Sequence, residues 1–125
     1  LEGLGKDVSQ AIAHATAFGG GFGRTHDEAC GAISGALIVI GHLYGRHNPG
    51  DNWDTPAILA QNIRQQFLDK YETTHCATLR DRFGEKLQSI ECGNLVKQVA
   101  KDLVDILSRP WEGAIEPCGC EVKTA

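Results

Sequence analysis

The chain has 125 residues, with 12 Lys and Arg against 16 Asp and Glu and a formal net charge of -4; its pI is near 5.7. That length supports one domain with a real hydrophobic core and no need of disulfide staples, and the acidic balance excludes the clustered basic surface that a nucleic-acid partner requires. The longest apolar stretch, Ala29 to Leu43, is interrupted by glycines and by His42 and is shorter than the roughly 20 residues that cross a bilayer, so no membrane partner is expected.

In chain order, Leu4, Val8, Ile12, Ala15 and Phe18 recur at spacings of three and four and predict a first amphipathic helix. It ends in Phe18-Gly19-Gly20-Gly21-Phe22-Gly23-Arg24, where four glycines destroy helix propensity and permit positive φ or close backbone approach. Thr25-His26-Asp27-Glu28 has the form of a capping box, which predicts that a second helix starts there and runs to about Tyr44. That helix is apolar on most sides and has Gly31 and Gly35 one turn apart, so it is expected at the centre of the molecule with another backbone packed closely on it. Arg46 to Asp54 reads as a loop. Thr55 and Pro56 then read as the N-cap and first position of a third helix whose buried stripe is Leu59, Ile63, Phe67 and Tyr71.

A short helical turn around Cys76, Leu79 and Phe83 follows and is closed by Gly84. A last long helix starts near Cys92, buries Leu95, Val96, Val99, Leu103, Ile106 and Leu107, and stops at Pro110. No stretch alternates apolar and polar residues, so essentially no sheet is expected. The fold class that follows is all-α: a small bundle of about four to five helices with a glycine-rich loop between the first two. The expected helical domain is 1–110, with an irregular tail over 111–125. The chain begins at Leu1 and has no methionine, which points to a missing N-terminal portion.

Chemistry narrows to cysteine. The glycine loop lacks the Gly-Lys-Ser/Thr of a P-loop and the preceding strand of a dinucleotide fingerprint, and no serine triad or buried carboxylate pair can be singled out. Five cysteines without a Cys-x-x-Cys pair exclude a zinc ribbon, thioredoxin chemistry and c-type haem attachment. Each of Cys30, Cys76 and Cys92 taken alone reads as a small buried hydrophobe. Together they sit at or beside helix starts, where unpaired N–H groups and the helix dipole favour thiolate, and three such residues can converge on one end of a bundle. Cys118 and Cys120 read equally as metal ligands, a strained disulfide or incidental tail thiols. Among the histidines, His75 beside Cys76 stands out as a ligand or as a base for the thiol, against a plainer reading as an exposed turn residue. His14, His26, His42 and His47 share no spacing that makes a metal pair on one helix face.

The segments Phe18-Gly19-Gly20-Gly21-Phe22-Gly23-Arg24, Cys30-Gly31-Ala32-Ile33-Ser34-Gly35 and Tyr44-Gly45-Arg46, with isolated Cys76 and Cys92 downstream, resemble the core of the C_GCAxxG_C_C family of redox-active proteins. The resemblance covers about Leu1 to Leu107. It implies redox activity with an iron-sulfur cluster, as in the similar domain of split-Soret cytochromes, and carries over Cys30, Cys76 and Cys92 as cluster ligands or redox thiols. The sequence departs from the family pattern in having no cysteine ahead of the first helix and no Gly before Cys30; Cys118 or Cys120 are the substitutes available for a fourth ligand.

The preferred expectation is therefore an electron-transfer domain that holds an iron-sulfur cluster or other metal through cysteines. The alternatives are a metal-free thiol-disulfide redox or sensor protein pairing Cys30 with Cys76 or Cys92, and a non-catalytic helical interaction module. Enzymatic activity, the redox partner and homo-oligomer formation are left open. The modest cysteine density fits a reducing cytoplasm.

Overall fold

The computed structural model describes residues 8–109. Within them the chain forms five α-helices: α1 (Ser9–Ala15), continued by a 3-10 turn (Thr16–Phe18), α2 (Gly31–Tyr44), α3 (Asp54–Tyr71), α4 (Cys76–Phe83) and α5 (Gln88–Ser108). No strand occurs among the described residues; a single antiparallel bridge joins Ala29 to His75. The all-α bundle read from periodicity is the fold. The proposed tail over 111–125, the first apolar position Leu4, and the stop at Pro110 lie outside the described residues.

α2 is central, as its apolar composition requires, and packs against α1, α3 and α5. One core joins Ile33, Ala36 and Ile40 of α2, Leu59, Ile63 and Phe67 of α3, Leu79 of α4 and Leu95, Val99, Leu103 and Ile106 of α5. The buried positions of α3 and α5 recur every three or four residues, so each helix offers one stripe to this core and keeps its charges outside. Val96, expected in the stripe of α5, is 53 % exposed.

Three boundaries differ from the expectations, the starts of α2, α3 and α5, the last of which begins at Gln88, four residues ahead of Cys92. α2 starts at Gly31, with Cys30 as its N-cap residue. The residues read as a capping box are spent elsewhere: the Thr25 hydroxyl donates to the Gly21 carbonyl at 2.6 Å and accepts from the Asp27 N–H at 3.3 Å. That local side-chain bonding competes with a helix start. α3 starts one residue ahead of Thr55, with Asp54 in its first turn and Trp53 as the flanking residue. Gly35 has no close neighbour; the close backbone approach occurs at Gly31, whose missing Cβ would stand 3.4 Å from Gly19 Cα. Gly84 closes α4 as expected, in the left-handed region at φ 79.

Candidate functional site

The site is built where the glycine loop, the start of α2 and the start of α4 meet. The bridge between Ala29 and His75 is held by the Cys30 N–H donating to the Thr74 carbonyl at 2.6 Å and the Cys76 N–H donating to the Glu28 carbonyl at 2.9 Å. Side chains alternate across a paired backbone, so Cys30 and Cys76, each one residue beyond the bridged pair, share the opposite face. α5 adds Cys92 in its second turn. All three cysteines line one cavity of about 300 Å³, walled also by Gly19, Gly20, Leu79, Arg80 and Phe83. The three thiols are free; Cys76 is buried and the other two half-buried.

The glycine loop supplies the wall of this cavity by a backbone that other residues cannot adopt cheaply. Five successive residues, Gly20 to Arg24, have φ between 60 and 65, and His26 follows at 63. Two of the five, Phe22 and Arg24, are not glycine, and each such residue costs about 1–2 kcal/mol relative to right-handed backbone. A Cβ on Gly21 would stand 2.7 Å from Cys76 Cβ and 2.9 Å from His26 Cα. Glycine at that position is therefore what lets the loop press His26 and Cys76 together.

The outcome is a thiol beside an imidazole. Cys76 Sγ is 3.5 Å from His26 Nδ1, a long but workable separation for proton transfer in an unliganded site. Burial raises the Cys76 thiol above the usual range; the Arg80 guanidinium works against this and Cys92 with it. Burial likewise raises Cys30, against the lowering effect of the Ala32 and Ile33 N–H groups at the start of α2, with Cys76 and Cys92 adding to the rise. The sequence-based expectation that helix starts would favour thiolate is thus reversed for both residues, because desolvation outweighs the Ala32 and Ile33 N–H groups at Cys30 and the Arg80 guanidinium at Cys76.

His75, the histidine singled out from sequence, is a structural clamp. Its Nε2 lies 3.1 Å from the Asp27 carbonyl, to which it donates, so its Nδ1 accepts from the Thr78 hydroxyl at 2.8 Å. The ring is half-buried, with both nitrogens engaged. The histidine that meets a thiol is His26, which the sequence reading places within a capping box. Nothing in its spacing signals the contact, since it lies fifty residues from Cys76.

The cysteines share a cavity, yet among the described residues no three His, Cys, Asp or Glu side chains are disposed to hold one metal ion. The donor set of the described residues therefore favours a metal-free site. Cys118 and Cys120, the further ligands considered, lie outside the described residues. No described helix is long and apolar enough to cross a membrane.

Comparison with known proteins matches residues 1–106 to the family described as "Putative redox-active protein (C_GCAxxG_C_C)". No curated protein and no solved structure matches the chain.

Proposed function

The chain belongs to the C_GCAxxG_C_C family, and from that premise we propose that it is a metal-free thiol-disulfide redox protein whose reactive pair is Cys76 and Cys30. The observation that carries this reading is the meeting of three free thiols around one cavity, one of them in reach of an imidazole. A thiol whose ionisation is opposed by burial is a poor nucleophile near neutral pH unless a base takes its proton, and His26 is placed to do so. The Cys76 thiolate then attacks one sulfur of an acceptor disulfide, and the acceptor's other sulfur leaves as a thiolate. Cys30 resolves the mixed disulfide by attacking Cys76 Sγ. Two protein thiols and one acceptor disulfide thus become one protein disulfide and two acceptor thiols.

The test is to oxidise the reduced protein with a disulfide of known potential and to map the product by mass spectrometry. The expected result is a Cys30–Cys76 disulfide, a trapped mixed disulfide on Cys76 in Cys30→Ser, and no oxidation of Cys30 in Cys76→Ser. Thiols that stay reduced in the folded protein at every potential at which a small dithiol is fully oxidised would exclude the reading. A Cys30–Cys92 or Cys76–Cys92 product would overturn the pairing.

A further inference from the structure

Behind the glycine loop lies a second depression, of about 690 Å³, lined by Arg24, His26, Arg80, Thr16 and the backbone of Gly19 and Gly20. It shares Gly19, Gly20 and Arg80 with the thiol cavity. No carboxylate lines it, and neither arginine takes part in an ion pair among the described residues. Two arginines and a histidine thus line one depression on a chain of net charge -4. Arg24 and His26 are held there at φ 64 and 63, and such strained positions cluster where a site needs a particular geometry. The volume lies in the range of small-molecule sites. A guanidinium fork fits a carboxylate through two parallel hydrogen bonds.

We infer that this depression receives a carboxylate of a small anionic disulfide, whose sulfur reaches Cys76 across the shared wall formed by Arg80 and Gly20. The inference rests on the thiol-disulfide reading and names its substrate class. The reaction balances as before: one dicarboxylate disulfide and two protein thiols yield two carboxylate-bearing thiols and the Cys30–Cys76 disulfide. The proton from Cys76 passes by way of His26 to the first departing thiolate, and that from Cys30 to the second. Binding is set at contact rather than by long-range steering, since the whole molecule carries the same sign as the ligand.

Binding and chemistry can be tested separately. Adipate copies the length and charge of dithiodiglycolate without a sulfur-sulfur bond, and adipamide is its neutral counterpart. Adipate is expected to shift the amide resonances of Gly20, Arg24, His26 and Arg80, adipamide to leave them, and Arg24→Gln or Arg80→Gln each to weaken adipate roughly tenfold, the usual worth of a charge-assisted hydrogen bond. Equal responses to the two compounds, or none to either, would overturn the anion site. In the second arm the reduced protein meets dithiodiglycolate, 2-hydroxyethyl disulfide and cystamine, each rate divided by that for a free thiol peptide. The expected order is anionic over neutral over cationic, with the anionic preference falling roughly tenfold in Arg24→Gln. A flat order overturns the substrate class. Adipate binding without thiol loss to any disulfide leaves the anion site standing and removes the redox reading.

Discussion

At the scale of single residues, the site depends on what Gly21 lacks. Gly21→Ala adds a methyl 2.7 Å from Cys76 Cβ at a φ of 65, combining overlap with backbone strain, and is expected to cost about 2–4 kcal/mol. Gly23→Ala meets strain alone, since nothing lies within 4 Å of its Cβ position at φ 60, and is expected to cost about 1 kcal/mol. Urea unfolding of both variants checks the difference, and equal midpoints would remove the claim that the loop is pressed against Cys76. The second expectation concerns protonation. Because Cys30 and Cys76 are both raised by burial, alkylation at these two residues, followed site by site, is expected to be slow at neutral pH and to keep accelerating above the ordinary thiol range. His26→Ala is expected to slow alkylation of Cys76 at neutral pH while leaving Cys30 unaffected. Equal slowing of both would point to a loosened fold.

Among elements, apolar stripes and surface charges contribute very differently. The Lys70 ammonium spans from α3 to α5 and donates to both oxygens of Asp102, at 2.9 and 2.7 Å. Lys70 is well exposed, and Gln98 still donates to Asp102 when the lysine is gone. Lys70→Met is therefore expected to cost no more than about 1 kcal/mol. Ile63, on the same helix and 1 % exposed, fills the seam among α2, α3 and α5, so Ile63→Ala is expected to cost about 2–5 kcal/mol. Thermal or urea melts of the two variants decide this; a larger loss for Lys70→Met would mean that the interhelical ion pair outweighs the packing. α4 is the shortest of the four longer helices and joins the core through Leu79, which also walls the thiol cavity. Leu79→Ala is expected to loosen α4 and with it the alignment of Cys76.

For the whole molecule, thiol burial couples stability to pH. A group whose ionisation is opposed in the folded state stabilises the fold while it stays protonated, and that contribution is lost as pH rises through its folded-state range. The two raised thiols therefore predict that the reduced protein weakens as pH climbs above the ordinary thiol range, and that Cys30→Ser combined with Cys76→Ser flattens the fall. Oxidation works in the opposite direction. Joining Cys30 to Cys76 closes a loop of nearly half of the described chain, a constraint worth about 4 kcal/mol on chain-entropy grounds if the native geometry accepts it. Urea midpoints of reduced and oxidised protein across pH test both effects. A reduced protein whose stability is level from neutral to alkaline pH would show that the thiols ionise alike folded and unfolded.

The sequence by itself determined the helices and the class of chemistry. The stripes of Leu59, Ile63 and Phe67 and of Leu95, Val99 and Leu103 are local periodic facts, and a helix has to turn such a stripe inward wherever it packs. The family was legible from the glycine loop, the run after Cys30 and the two later cysteines. Tertiary structure alone decided which histidine meets the thiol. His26 reaches Cys76 because a left-handed loop and one antiparallel bridge fold residues 20–30 onto residues 73–77, and no local spacing encodes a contact made across fifty residues. It also decided the sign of the thiol shifts. Helix starts beside Cys30 and Cys76 are expected from the sequence to favour thiolate, while the burial that raises both thiols exists only once the loop, α4 and α5 have closed around the same cavity.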